Sequence, residues 1–118
     1  MHLTRLADAP SYFPAEHHDM RCLYLQGKEA GPSETLWMGM SQILPGGYIT
    51  SSASPLEKIY LVIEGQLTVE TPDGETLLNP LDSCRIAPNE PRALKNKTNR
   101  PVIVVLAMPL APAASPPL

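Results

Sequence analysis

Apolar and polar positions alternate along this chain in short runs, and the runs have the period of strands rather than helices. Glu57 to Glu64 (EKIYLVIE) is dense in β-branched and aromatic residues and stops at Gly65. Gln66 to Thr71 and Glu75 to Asn79 flank Pro72-Asp73-Gly74, a hairpin turn by composition. Ser83 to Ala87, Arg92 to Asn96 and Pro101 to Met108 continue the series. Upstream, Met20 to Gln26 alternates weakly. Glu34 to Leu44 is a long apolar strand stopped by Pro45-Gly46-Gly47, and Tyr48 to Ser54 is a short strand ending before Pro55. Roughly nine short strands at close spacing, without an amphipathic helix, predict an all-β antiparallel sandwich or jelly roll. Residues 1–19 lack a period, and Pro10, Pro14 and the pair His17-His18 suggest an extended arm. Residues 20–108 hold the strands of one domain, and residues 109–118 form a Pro- and Ala-rich, uncharged tail with little to pack.

Composition narrows the picture. A chain of 118 residues buries a core without needing disulfides or metal, and 14 prolines and seven glycines suit a fold with many turns. No apolar run reaches the roughly 18 residues needed to cross a bilayer. The start, MHLTRLADAP, lacks a basic region followed by an apolar core, so no secretory signal is expected and a cytoplasmic protein is the default. In that compartment Cys22 and Cys84 read as buried thiols rather than a disulfide. The sequon Asn96-Lys97-Thr98 is then idle. A net charge of -3 and the lack of a basic stripe argue against nucleic acid as a partner.

The stretch GGYITSSASPLEKIYLVIEG, residues 46–65, resembles the first motif of the cupin superfamily. That motif is a Gly, five residues, His-x-His, three or four residues, Glu, six residues and Gly. Started at Gly46, it sets the two histidines at Ser52 and Ser54, the Glu at Lys58 and the closing Gly at Gly65. The second motif falls over Leu81, Ala87-Pro88-Asn89, Arg92 and Asn96. Here Leu81 replaces a Gly, Asn89 a turn Gly and Arg92 the third His. Fifteen residues separate Gly65 from Leu81, a familiar intermotif length for small microbial cupins. The resemblance covers residues 34–108 and implies a cupin double-stranded β-helix, or jelly-roll barrel.

In the family, the three imidazoles and the carboxylate hold a divalent ion. Ser52, Ser54, Lys58 and Arg92 stand in their places, so the resemblance implies a pocket that works without metal or other cofactor. A divalent ion with one carboxylate brings about one net positive charge, whereas Lys58 and Arg92 pointing inward bring about two. Such a pocket favours a small anionic or polar metabolite, a carboxylate or phosphate above all. The expected ligand-binding set is Ser52, Ser54, Lys58, Tyr60 and Arg92. Tyr60 and Val62 share the strand face of Lys58. Lys58, desolvated beside Arg92, is also the candidate catalytic base or amine nucleophile.

Each feature has a plainer alternative. Lys58 also fits a side chain turned to solvent or paired with Glu57 or Glu64, Arg92 fits a surface position at the barrel rim, and Ser52 and Ser54 fit an ordinary loop before Pro55. His17 and His18 point to opposite faces of a strand and read as a solvated or interface pair. Trp37, Met38 and Met40 are core residues by default on a strand that also lines cupin pockets, and Tyr48 carries a hydroxyl that needs a partner if buried. A metal-independent isomerase, lyase or cyclase using Lys58 and Arg92 is the alternative to a binding protein. A third reading is a dimeric structural or partner-binding cupin. Small cupins commonly form homodimers, and residues 1–26 fit an arm that covers a partner's sheet edge.

Overall fold

The computed structural model describes residues 1–111, so most of the expected tail, from residue 112 onward, lies outside the described residues. Nine strands follow one another: β1 (Ser11–Tyr12), β2 (His17–Gln26), β3 (Leu36–Ser52), β4 (Lys58–Glu64), β5 (Leu67–Thr71), β6 (Gly74–Leu78), β7 (Ser83–Ile86), β8 (Arg92–Lys95) and β9 (Val102–Pro109). Two short 3₁₀ turns, Leu6–Asp8 and Lys28–Ala30, are the helical elements among the described residues, and none is long and apolar enough to cross a membrane. The strands pair in the order β6-β5-β8-β3-β9-β4-β7, with β2 on β3 and β1 on β2, every pair antiparallel. The result is a nearly closed jelly-roll barrel, as the patterning predicts.

The expected stop at Pro45-Gly46-Gly47 is instead a corner inside one strand. β2 runs along one edge of β3 from Met38 to Ile49. On the other edge, residues 36–43 pair with β9, and residues 48–52 pair with β8. No ladder pairing is made over residues 44–47, so the missing N–H of Pro45 costs nothing there. Gly46 takes φ +81°, and a Cβ on Gly47 would meet the Asp19 carbonyl oxygen at 2.5 Å, so the corner needs Gly47. Asn96 locks it. Its backbone bonds Gly46 and Gly47, and its Nδ2 donates to the carbonyls of Ile43 (2.9 Å) and Arg100 (2.7 Å). The sequon asparagine is thus a buried strut.

The arm is partly used within the chain. β2 begins at His17, and residues 11–12 return to pair with Leu23 and Cys22. The second-motif register also leaves its mark on the backbone. Leu81 and Asn89, which stand where the family has glycine, hold φ of +72° and +64°. Both cysteines are free thiols. The core gathers Ile43, Val62, Leu67, Leu94, Val102 and Val104, all essentially without solvent contact. Each such side chain contributes about 1.5–3 kcal/mol by leaving water.

Candidate functional site

Along β4, Lys58, Tyr60 and Val62 face inward while Ile59 and Ile63 face out. The alternation is the ordinary strand period. It carries Lys58 to the barrel interior, where the residue is 8% exposed. Arg92 opens β8 directly across from Ser52 of β3, and is 6% exposed. Its Nη1 donates to Ser52 Oγ at 2.8 Å and its Nε to Tyr60 Oη at 3.1 Å. The guanidinium is therefore held by two neutral oxygens, neither of which balances its charge.

Lys58 has no hydrogen-bond or ion-pair partner among the described residues. Three carboxylates pair with other cations, Glu57 with Arg85, Glu70 with Lys95 at 2.7 Å and Glu75 with Lys97 at 2.7 Å, and none pairs with Lys58. Glu90 accepts the backbone N–H of Ala87 at 2.9 Å. Burial pushes the Lys58 ammonium below its ordinary pKa, and the Arg92 charge pushes it further. Burial raises the Tyr60 phenol, and Arg92 opposes that rise. The interior here is cationic and lacks a counter-charge from the protein.

Ser54 does not join these groups. Its Oγ accepts the N–H of Leu56 at 3.1 Å, and its carbonyl accepts the N–H of Asn89 at 2.6 Å, so it closes a turn. Tyr48 lies on the outer surface, where its ring stacks on His18 at 4.5 Å. Met40 also faces outward, into a groove of about 500 Å³ that it lines with Leu6, Arg21, Leu23 and Ile103. Trp37 is buried, edge-on to Tyr12 and Tyr24. Tyr12, carried in by the short strand β1, stacks on Tyr24 at 4.1 Å, and burial raises its phenol well above the usual range.

The two histidines part company. His18 is exposed beside Glu16 at 3.9 Å. His17 is half-buried and pairs with Ile49, whose side chain lies in the core. Burial lowers the His17 pKa, the Ala15 carbonyl resists, and Arg92, His18 and Lys58 add to the lowering. His17 is thus within electrostatic reach of the two buried cations. The register of β2 hides this in the sequence, because a bulge at Asp19 (φ +52°) breaks the alternation between His18 and Met20.

The four positions that hold metal ligands in the family offer two hydroxyls and two cations, a donor set that does not fit a divalent ion. Among the described residues, no group of three or more His, Cys, Asp and Glu side chains stands close enough to hold one.

No family model matches the chain. It is 39% identical over 116 residues to a Mycobacterium tuberculosis protein named beta-D-galactosidase Rv1717, covering 97% of this chain and 100% of that one. Among solved structures it is similar to the polyketide cyclase RemF from Streptomyces resistomycificus, with a TM-score of 0.82 and 15% identity. That match covers 92% of this chain and 79% of RemF. It is also similar to an RmlC-like cupin from Shewanella frigidimarina, with a TM-score of 0.77 and 14% identity over 96% of this chain and 94% of that one. At such identities the two structures speak to the fold alone.

Proposed function

Since this chain is a small single-domain cupin, in one family with the M. tuberculosis protein it matches, we propose that it binds a small anionic metabolite at the cationic end of its barrel, without a metal. One observation carries this reading. Lys58 and Arg92 are both buried, and no carboxylate of the described residues pairs with either. Burying an unpaired charge costs free energy, and a ligand carboxylate or phosphate supplies the missing counter-charge. Arg92 grips such a group through two N–H bonds, and Lys58 adds a compact charge. Ser52 and Tyr60 hold the guanidinium in place, while the Tyr60 hydroxyl keeps its own proton to donate.

The relative's name favours a second reading, in which a sugar is turned over. Most glycosidases use two carboxylates about 5–9.5 Å apart. Here Glu57 is committed to Arg85 and Glu90 to the Ala87 N–H, so the cationic end has no such pair to offer. An acid derivative of a sugar satisfies both indications, the name through its ring and the two cations through its acid group. Lys58, with its depressed pKa, is the amine available for chemistry in this reading.

A thermal-shift series with D-galacturonate, galactose 6-phosphate, inorganic phosphate and galactose tests the proposal. A ligand at ten times its Kd stabilises by about 1.4 kcal/mol, or about 6 °C for a domain of this size. The acids are expected to raise the melting temperature and galactose is not. The Lys58→Met/Arg92→Met variant should lose the response. A galactose response equal to that of galacturonate, kept in the double variant, would overturn the cationic pocket.

A further inference from the structure

Lys58 and Arg92 hold an anion but leave open which group moves a proton. We propose that His17 is a general base, taking the proton from the carbon next to the carboxylate of a bound sugar acid or hydroxy acid. This rests on reading Lys58 and Arg92 as the anion clamp.

The placement follows from register. His17 of β2 pairs with Ile49 of β3, and Ile49 pairs on its other edge with Leu94 of β8. Ile49 and Leu94 are core residues, so this row of side chains points into the barrel. Arg92 lies two residues before Leu94, on the same face of β8. His17 therefore stands in the row beside Arg92, on the interior side of the sheet.

The ring is also prepared chemically. Its Nδ1 lies 2.7 Å from the Ala15 carbonyl oxygen, which only accepts, so Nδ1 carries the hydrogen. That tautomer leaves the lone pair on Nε2, which has no protein partner among the described residues. The turn that supplies the carbonyl is fixed in its turn, because the Thr50 N–H donates to Glu16 O at 3.0 Å and Glu16 holds φ +61°. The charges acting on the ring are Arg92 from β8, Lys58 from β4 and His18 from its own strand. The nearby carboxylate, Glu16, sits with His18 on the outer surface. Without an anion in the clamp these charges favour the neutral ring, which is able to accept a proton. An anion in the clamp offsets the two cations and raises the proton affinity of the ring toward the neutral range, where a base works best. Lys58 starts from an ordinary value of 10.5 against 6.5 for His17, which makes it the better charge and the poorer base.

In the step, the C–H bond α to the carboxylate breaks and its proton passes to His17 Nε2. The electron pair stays on the substrate as an enolate, whose charge Arg92 and Lys58 stabilise. The imidazolium exchanges its hydrogen with solvent and returns a proton to the same carbon. Exchange of the α hydrogen results, with epimerisation where water delivers the proton from the opposite face, and neither oxidant nor reductant is needed.

The experiment uses the full chain in D₂O with D-galacturonate, D-galactonate and glycolate, following deuterium uptake at the α carbon by NMR and binding by thermal shift. The wild type is expected to bind at least one acid and to wash deuterium into it. His17→Gln should bind that acid with Kd within about two-fold and exchange at least about 100-fold more slowly. Imidazole NMR of the wild type should show the proton on Nδ1 and a His17 titration midpoint that rises on saturation with inorganic phosphate. Binding without exchange overturns the proposal and leaves the clamp standing. So does equal exchange in His17→Gln, or a proton on Nε2. Failure of all three acids and of phosphate to bind overturns both.

Discussion

Along β4 the interior changes from Lys58 and Tyr60 to Val62, and along β8 from Arg92 to Leu94. On β3 the exposed Ser52, whose hydroxyl meets Arg92, gives way to the buried Ile49 and Ile43. Two residues of strand separate a cationic end, with charges the protein does not balance, from an aliphatic end closed to water. On β4 and β8 one period of two serves both ends, so there the difference lies in the side chains, whereas on β3 a register shift between Ile49 and Ser52 comes between them. The aliphatic end stabilises the barrel by burial. The cationic end is held there at a cost, the trade expected of the anion site proposed above.

The largest expected effect separates these roles. Leu94→Ala should cost about 2–5 kcal/mol in chemical denaturation, because it opens a cavity in a fully buried layer. The folded fraction should keep its anion response. Loss of that response in folded protein would join the two ends that the comparison sets apart.

A smaller change of opposite sign is expected at the other end. Lys58→Met keeps the buried stem and removes a charge without a protein partner, so the barrel should gain up to about 1 kcal/mol near pH 7, since Nζ itself keeps some contact with water. The same variant should lose most of the acid-induced thermal shift. If Lys58→Met destabilises the protein, the ammonium has a partner inside the fold and the cationic end is not under strain.

The pH dependence sharpens the contrast further. The folded pKa of His17 lies below its ordinary 6.5, so in that window the unfolded chain binds more protons. Stability should fall as pH drops through 6.5 toward the folded midpoint, and return above it. On the alkaline side a gain from Lys58 is opposed by Tyr12 and Tyr60, whose phenols are raised, so the acid limb is the clean readout. His17→Gln should flatten that limb in equilibrium denaturation between pH 5 and 7.

The smallest effect concerns neither end. Leu81 holds φ +72° and is exposed. Leu81→Gly should stabilise by about 1 kcal/mol, since the left-handed cost of about 1–2 kcal/mol exceeds the added chain entropy of Gly. A melting temperature that falls would show that the Leu81 side chain makes contacts that outweigh its backbone.

Much of this was legible in the sequence wherever one strand decides the outcome. The parity of Lys58, Tyr60 and Val62 and the hairpin at Pro72-Asp73-Gly74 follow from local pattern, while Ser52 and Arg92 are brought into one site only by the resemblance to the two cupin motifs. The remainder depends on pairing between distant segments. Pro45-Gly46-Gly47 reads as a terminator, but β3 passes through it because β2 supports its far edge along both halves. Ser54 has the right spacing, but a turn takes its hydroxyl. His17 was obscured by the bulge at Asp19, and only its pairing with Ile49 shows which way the ring points.

That pairing scheme also bears on how the chain reaches its shape during synthesis. β9 is the last strand among the described residues, yet it lies between β3 and β4, in register with Leu36–Ile43 on one side and Ile59–Glu64 on the other. Until Val102 to Pro109 has emerged, the two halves of the sheet have no seam to join them. Assembly therefore waits on β9 in its decisive step, and the unjoined edges of β3 and β4 are the exposure that a chaperone would meet on the nascent chain.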